Sequence, residues 1–243
     1  MNHPTSAISF ENLSFKSDKL SILNKINGLF YKEKITTLVG PSGAGKSTLL
    51  KMCNGLLSPT SGEIFIDNQP IDLIEPTILR KKVGIVLQNA PILQGTVFEN
   101  IALPLTLQQK KLTEKQAIFY LEVVGLDQSL LYREAEALSG GQKQKISIAR
   151  SLVNKPEILL LDEITSALDP TSANEIEQLI LRINHESSVT IIWITHNIEQ
   201  AKRIGDYTWI MMKGQLLESG ESHILSTSKN IDVQQFVKGI QKR

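Results

Sequence analysis

The feature that most constrains this chain is a nine-residue loop between an apolar run and a helix-forming segment. Residues 40–48 match the pattern G-x-x-x-x-G-K-[ST], in which backbone N–H groups wrap phosphates and the lysine reaches the terminal ones. The run at residues 35–39 reads as a buried strand that leads directly into this loop, and a helix is predicted from there to about residue 54. The loop consists of Gly40, Pro41, Ser42, Gly43, Ala44, Gly45, Lys46, Ser47 and Thr48.

A second string, Leu138-Ser139-Gly140-Gly141-Gln142, has no obvious role within its own globule. Except in a turn, two adjacent glycines before a helix make sense chiefly where the backbone must approach another group closely. An ordinary helix start, with Ser139 as its cap, is the simpler interpretation and is compatible with the first, because capping geometry exposes N–H groups to an anion.

The third element is the apolar run at residues 158–161, which ends in Asp162 and Glu163. It reads as a buried parallel strand, and in open α/β sheets ligands bind outside the carboxyl ends of the strands. Two carboxylates there are costly unless a cation or a proton-transfer task needs them. We therefore expect Asp162 beside the magnesium ion of a nucleotide, and Glu163 to orient or polarise an attacking water.

Composition limits the function classes. The 243-residue chain carries a net charge of +1, so bulk nucleic-acid or membrane-surface binding is not expected. It has one cysteine, Cys53, so no internal disulfide can form, which suits a reducing compartment. Cys53 is expected to be an ordinary packed residue. No stretch of 18 apolar residues occurs, and residues 1–4 lack the pattern of a secretion signal. These features predict a cytoplasmic protein that does not insert into a membrane.

The remaining pattern predicts strands at residues 8–13, 63–66, 83–87 and 189–195, and a hairpin of residues 207–212 and 215–218. Helices are expected at about 113–124, from near Gln142 to about 153, at 172–184 with Ser172 as the cap, and weakly in the tail from residue 231 to 243. Lys143 and Lys145 are expected to be solvated.

These motifs stand in the order found in one family. The phosphate loop, Gln88, the Leu138–Gln142 string, Asp162-Glu163, the Ser-Ala-Leu-Asp of residues 166–169 and His196 together resemble the nucleotide-binding subunit of an ATP-binding cassette (ABC) transporter, over nearly the whole chain. The resemblance implies one ABC ATPase domain: a P-loop NTPase parallel-sheet core at about 1–88 and 156–225, with N-terminal antiparallel strands, an inserted α-helical subdomain at about 89–155 and a tail at 226–243.

The resemblance also implies ATP and Mg²⁺ as ligands, and a head-to-tail homodimer with two ATP molecules between the subunits. Lys46 would contact the β- and γ-phosphates, Thr48 the remaining phosphate oxygens, and Ser47, Gln88 and Asp162 the magnesium. The string Leu138–Gln142, called the signature string below, would approach the nucleotide of the other protomer through Ser139, Gly140, Gly141 and Gln142. Asp169 would lie in a loop that faces the other protomer. Glu163 and His196 would be catalytic, His196 by orienting the phosphate and water rather than as the base.

A membrane partner is implied as well. Gln88 would relay site occupancy to a permease docked on residues 91–102 around Phe98, although Phe98 as an ordinary core residue stays open. The protein would then lie at the inner face of the cell membrane through that permease. A soluble cassette protein without transport and a phosphotransferase are the weaker alternatives; both share the phosphate loop, and the signature string and His196 argue against the second.

Two positions depart from the family pattern. Ser17 stands where many members stack an aromatic residue on adenine, so either Phe15 is reoriented or apolar contacts hold the base; an ordinary core role for Phe15 is favoured. Ile164 replaces a common proline after the glutamate, which resembles a subgroup associated with iron export and metal resistance. Import of phosphate or amino acids remains an alternative.

Overall fold

The computed structural model describes residues 5–18, 20–89 and 91–239. The expectations for residues 1–4 and for the last four residues of the tail lie outside these ranges. The strands, β1 to β10 in chain order, are Ser6–Ser17, Leu20–Tyr31, Ile35–Val39, Ser61–Ile66, Gln69–Pro70, Val83–Val86, Ile158–Asp162, Thr190–Ile194, Tyr207–Met212 and Gln215–Glu221. The helices, α1 to α9, are Lys46–Cys53, Pro76–Lys82, Val97–Thr106, Glu114–Val123, Gly140–Leu152, Pro170–Ser187, Ile198–Ile204, Ile224–Thr227 and Ile231–Val237.

The central sheet has six strands in the order β10-β9-β3-β8-β7-β6. Strands β9, β3, β8, β7 and β6 run parallel, and β10 closes the edge as the antiparallel half of a hairpin. Every residue of β3, β7 and β8 is buried, as expected for parallel strands covered on both faces. Lys213 and Gly214, which join the hairpin, both have positive φ, the turn that matches strand twist.

The two faces of the central sheet bury different cores. Leu159 and Leu161 point into a core shared with α3 to α6, whereas Leu160 points into a core shared with α1 and a second sheet. That second sheet is antiparallel, with the order β2-β1-β4-β5. Phe30 packs between Phe10 and Trp209 with ring centroids 5.3 Å and 4.5 Å away, and so joins the two sheets. This confirms the expected α/β class with N-terminal antiparallel strands.

Helices α3, α4 and α5 lie in the chain between β6 and β7, where the sequence predicts helices and loops. Each begins with a reciprocal capping box, formed by Thr96 with Glu99, by Thr113 with Gln116 and by Ser139 with Gln142. The structure confirms the capping box predicted at Thr113 and the helix end predicted near Gly125. The division of the chain into core, helical insert and tail stays a prediction.

The structure differs from the sequence analysis at several elements. Strand β2 was not predicted, because bulges against β1 and a positive φ at Lys25 break its alternation of buried and exposed residues. Helix α6 begins at Pro170 rather than at Ser172: the carboxylate of Asp169 accepts from the N–H groups of Thr171 and Ser172 at 3.1 and 3.0 Å. Helix α5 begins at Gly140 instead of Gln142. In the tail, the predicted helix is confirmed over Ile231–Val237.

Cys53 is fully buried in the second core, as expected, and burial raises the pKa of its thiol, so the thiol is unreactive. Within the described ranges, no helix is long and apolar enough to cross a bilayer.

Candidate active site

Four parallel strands carry part of the predicted site at their carboxyl ends, on one side of the central sheet. The phosphate loop follows β3, Gln88 follows β6, Glu163 follows β7 and His196 follows β8. One open cavity is lined by loop residues 42–48 together with Glu163 and His196, and by Leu20 and Ile22 of β2. The fold therefore brings together groups that lie more than 150 residues apart in the chain.

Two glycines of the phosphate loop, Gly40 and Gly45, have positive φ and close neighbours, so a larger residue would be strained there. A side chain at Gly40 would place its Cβ 2.0 Å from the carbonyl oxygen of Met211, and one at Gly45 would meet Leu23 at 2.6 Å. Gly45, at φ 93°, is the N-cap of α1 and has no side chain with which to cap it. The first N–H groups of α1 are thus left for another acceptor, and the dipole of the helix favours an anion there.

The Lys46 ammonium is folded back onto this loop. It donates to the carbonyl oxygens of Gly40 and Pro41 at 2.8 and 3.0 Å, and the residue is 5% exposed. Burial lowers the pKa of Lys46, and the charges of Glu163 and Asp162 offset this only in part. A buried ammonium among N–H donors is the environment that a polyphosphate completes, since the ligand's charge removes the cost of burying the cation.

Ser47 and Asp162 form an oxygen pair beside the loop. The Ser47 hydroxyl donates to Asp162 Oδ1 at 2.8 Å, and Asp162 is only 8% exposed. Burial raises the pKa of Asp162; the Ser47 hydrogen bond opposes the shift and the charge of Glu163 adds to it. A desolvated carboxylate next to a hydroxyl is a donor set that suits Mg²⁺, a hard cation that prefers oxygen ligands, so these residues fit a nucleotide-bound magnesium.

Glu163 is held in an unusual backbone conformation. Its φ is 52°, in the left-handed region that costs a non-glycine residue on the order of 1 kcal/mol. The strain is held in place by two hydrogen bonds: its N–H donates to Ile194 O at 3.1 Å, and its carbonyl accepts from the Ser166 hydroxyl at 2.8 Å. This turn points the side chain away from the end of β7 and into the shared cavity.

The Glu163 carboxylate contacts two other predicted site residues. His196 Nε2 lies 2.5 Å from Oε1, and Gln88 Nε2 donates to Oε2 at 3.3 Å. Gln88 also donates to the Ser166 hydroxyl at 3.1 Å. Ser166 was not assigned a role from the sequence; its position three residues after Glu163, where a turn returns its side chain to the Glu163 carbonyl, was the available signal.

The signature string lies at a different place. Ser139, Gly141 and Gln142 line a separate cavity that contains no phosphate-loop residue. Ser139 accepts from the Gln142 N–H at 3.2 Å, Gln142 Oε1 accepts from the Ser139 N–H at 3.0 Å, and the first helical bond runs from Lys143 to Ser139. These bonds leave the N–H groups of Gly140 and Gly141 at the start of α5 for another acceptor.

Asp169 and Lys145 both interact with α6, which packs against α5. The Asp169 carboxylate is exposed and caps α6; hydrogen bonds from Ser172 hold its pKa below the usual range. Lys145, expected to be solvated, is instead 13% exposed at its side chain and pairs with Glu175 of α6 at 2.8 Å. That expectation was wrong because α5 packs against α6, which its position on a polar stretch does not reveal.

The expected core role of Phe15 is confirmed, since it packs against the core between the two sheets. Leu20 and Ile22 provide the apolar surface beside the phosphate loop, and Leu20 is 69% exposed. The sequence did not single out these two residues because β2 itself was not predicted.

A sequence model described as ABC transporter matches residues 23–166, more than half of the chain. The chain belongs to the ABC transporter family. The cassette is 44% identical to YjkB of Bacillus subtilis over 238 residues, which cover 96% of this chain and 94% of the relative. It is 41% identical to the methionine import ATP-binding protein MetN of Mannheimia succiniciproducens over 229 residues, 90% of this chain and 66% of that relative.

Solved structures agree with this assignment. The ABC cassette superimposes on cbiO1 from Clostridium perfringens, part of the ABC transporter complex cbiONQ, with a TM-score of 0.83 at 30% identity over 95% of this chain and 94% of that one. It also matches the ATP-binding cassette MJ0796, in a dimeric post-hydrolysis state bound to ADP and Pi, with a TM-score of 0.78 at 30% identity over 88% and 98%. The cassette is an ATPase, and ATP is its nucleotide.

Proposed function

We propose that two copies of this cassette close head to tail on two ATP molecules and thereby drive a separate membrane permease. The observation that carries the proposal is the separation of the two anion-binding helix N-termini. The phosphate loop and the signature string line different cavities of one chain, yet each presents backbone N–H groups suited to phosphate. A second copy places a signature string over the phosphate loop of the first. The dimeric cassette MJ0796 is precedent for such pairing.

In this arrangement the phosphate loop holds the triphosphate in its own chain. Lys46 exchanges its bonds to Gly40 and Pro41 for the β- and γ-phosphates, while Thr48 and the loop N–H groups bind the remaining oxygens. Mg²⁺ held by Ser47, Gln88 and Asp162 would supply positive charge to the phosphate oxygens. Ser139, with the N–H groups of Gly140 and Gly141, contacts the γ-phosphate of the partner's nucleotide.

Glu163 is the residue to which we assign the orientation or polarisation of the attacking water. Its carboxylate faces the cavity and is held by His196 and Gln88, which fixes its direction without covering the cavity. His196 orients the γ-phosphate and the water through the same contact rather than removing the proton. Asp169, at the start of α6 and exposed, faces the opposite protomer beside the signature string.

The surface that we assign to the permease is the loop before α3 and its first turns, residues 91–102. Asn100 fixes this loop: its side chain binds the N–H and C=O of Leu93 at 2.9 Å each and the C=O of Thr96 at 3.0 Å. Leu93 is 45% exposed, and half-buried Phe98 lies beside Tyr132, which is 60% exposed, with ring centroids 6.2 Å apart. Phe98 therefore serves the core and the surface together. Docking here would hold the cassette at the inner face of the membrane.

The transported substrate rests on weaker support. Ile164 is 2% exposed and packs in the core, so its apolar character has a structural reason independent of any iron-export subgroup. The relatives from Mannheimia succiniciproducens and Histophilus somni are both named for methionine import, at 41% and 40% identity. We therefore place amino-acid import ahead of metal export and of phosphate import as the working hypothesis.

Two experiments test the proposal. Sedimentation of the Glu163→Gln chain should show a monomer without nucleotide and a dimer with ATP; a monomer at saturating ATP would contradict the head-to-tail dimer.

Affinity purification of the tagged chain from membranes of the cells that naturally produce it should recover an integral membrane protein, which identifies the permease and the substrate class. Leu93→Asp should abolish this recovery, whereas Phe119→Asp, at a more exposed position on α4 outside residues 91–102, should not. Recovery of ribosomes or DNA repair proteins instead would favour a cassette without transport.

A further inference from the structure

A buried polar network lies directly behind the catalytic pair, and Gln200 of α7 is its centre. Gln200 is 2% exposed, and both Thr195 and Glu177 are 4% exposed. The Gln200 side chain accepts from the Thr195 hydroxyl at 2.5 Å and donates to Thr165 Oγ1 at 3.1 Å and to Glu177 Oε1 at 2.9 Å. One amide therefore uses its oxygen and both of its N–H groups inside the protein.

The surroundings fix which way this amide points. An ionised carboxylate only accepts hydrogen bonds, so the NH₂ group of Gln200 must face Glu177 and its oxygen must face the Thr195 hydroxyl. Glu177 is itself completed on its other oxygen by Arg203, whose Nε and Nη2 lie 3.0 and 2.6 Å from Oε2. Flipping the amide would place two acceptors against each other on the Glu177 side, so a single arrangement is favoured.

The two threonines belong to the two loops that carry the catalytic side chains. Thr165 lies two residues after Glu163, and Thr195 immediately precedes His196. Pairing between β7 and β8 ends at Asp162 and Ile194, and the last backbone bond between these loops is the one from Glu163 to Ile194. Beyond that point the sheet no longer sets the distance between the loops, and the Gln200 side chain bridges them.

We propose that Gln200 is a positioning residue that sets the relative placement of the Glu163 and His196 loops. Its contribution is to keep the 2.5 Å contact between His196 Nε2 and Glu163 Oε1 in register by binding both loops from behind. Gln200 itself lines a neighbouring cavity and is absent from the lining of the one formed by the phosphate loop. Its loss should therefore affect the rate of hydrolysis and leave the binding of ATP unchanged.

The test uses Gln200→Met, which keeps the side chain's length and removes all three hydrogen bonds. We expect kcat for ATP hydrolysis to fall between about 10-fold and 10²-fold, as for a small misplacement of reacting groups, with KM for ATP within about twofold of wild type. Amide hydrogen exchange of the nucleotide-free chain should rise in residues 163–168 and 195–197 together, and stay unchanged in the phosphate loop. Combining Thr165→Val with Gln200→Met should lower kcat no further than Gln200→Met alone.

The matched control is Thr208→Val. Thr208 is fully buried, and its hydroxyl bonds Thr37 and Ser222 at 2.8 and 2.9 Å in a network that touches neither catalytic loop. It should lower Tm as Gln200→Met does and leave kcat unchanged. Equal kcat in the two variants, or faster exchange confined to α7, would overturn the proposal.

Thr165→Val alone decides the matter if Gln200→Met does not fold, because it removes only one link. Exchange in residues 163–168 should then rise and kcat should fall; wild-type values of both would contradict the role of Gln200. The inference rests on the proposed roles of Glu163 and His196, and the two can fail separately. Full turnover by Glu163→Gln would remove those roles, whereas hydrogen exchange reports the bridge between the loops in either case.

Discussion

The phosphate loop and the signature string are both helix N-termini rich in glycine, but they differ in the side chains that surround them. Around the phosphate loop, Lys46 returns to the loop carbonyls and Ser47 binds Asp162, so a cation and an oxygen pair lie beside the uncapped N–H groups of α1. At the signature string, the capping box satisfies Ser139 and Gln142 and leaves the N–H groups of the two glycines at the start of α5. An enzyme assembled from two copies requires this difference, because one region brings its own charged side chains and the other offers only backbone N–H groups.

Disabling the two regions one at a time should have the largest effects. Lys46→Ala should abolish ATP binding, because it removes the buried ammonium from the loop. Gly141→Asp should keep ATP binding but stop hydrolysis and ATP-dependent pairing, since it adds a negative charge at an anion site and its Cβ would lie 3.1 Å from Ser172 Oγ. Binding is measured by nucleotide titration and hydrolysis by phosphate release. Lys202→Ala, a partly exposed lysine of α7 paired with Glu199, should bind ATP as wild type does.

Mixing the two disabled chains sharpens this result. In an equal mixture half of the dimers are mixed, and each has one site with an intact loop and an intact signature, so turnover should recover to roughly a quarter of wild type. Turnover that stays at the level of the separate variants, with mixed dimers shown to form, would mean that each chain holds its whole site.

Glu163→Gln separates holding ATP from cleaving it. We expect turnover to fall by about 10²–10⁴-fold, the usual contribution of a general base, while ATP binding and the ATP-dependent dimer persist. The amide keeps the size of the side chain and can still bond His196 and Gln88. Glu199→Gln, an exposed carboxylate on α7 paired with Lys202, is the control and should retain activity. Turnover within about twofold of wild type would remove the assignment of Glu163.

Most of the fold could be predicted from the sequence, because its strongest signals are local. The fully buried strands β3, β7 and β8 appear as short apolar runs, and the hairpin turn at Lys213-Gly214 appears as a two-residue loop. Strand β2 was missed because its pattern depends on bulges against β1, which no local window contains. The cap of α6 was missed because Ser172 and Asp169 both fit a cap, and only the chain geometry decides between them.

The candidate site was predictable to the extent that its residues lie in strings. Lys46, Asp162 and Glu163 are found this way, and the structure places them at one edge. Gln200 could not be found, because a lone glutamine gains meaning only when β7, β8 and α6 bring Thr165, Thr195 and Glu177 around it. Such long-range polar networks leave no periodic trace in a sequence.

Asp162→Asn should show that the ionised carboxylate beside the phosphate loop lowers stability when no ligand is bound. The pKa of Asp162 is raised by burial, so the folded chain holds this proton more tightly than the unfolded chain does. At pH values above the raised pKa, the ionised group lowers stability; below the ordinary value of 3.8 it is neutral in both states and has no such effect. Neutral Asn should therefore raise Tm at pH 7 by a few degrees, since about 1 kcal/mol corresponds to about 2–4 °C at this chain length.

The same variant should lose the additional thermal stabilisation that Mg²⁺ gives over ATP alone, because the amide binds a divalent cation weakly. Calorimetry at pH 7 and near pH 4, with and without Mg²⁺ and ATP, measures both effects. An unchanged or lower Tm at pH 7, or a full response to Mg²⁺, would contradict the account of Asp162.

The smallest effect is expected at the apolar edge of the phosphate-loop cavity. Leu20 is 69% exposed and lines the cavity with Ile22, so we expect adenine to rest on an aliphatic surface rather than on a stacked ring. Leu20→Ala should weaken ATP binding by about threefold to tenfold, the loss of a partly buried leucine contact, and kcat should not change. Because aliphatic contact does not distinguish purines, ATP and GTP should weaken equally in the titration, with Leu73→Ala, equally exposed and outside the cavity, as the control. A loss confined to ATP would show that the base is recognised by polar groups and that Leu20 only shields them.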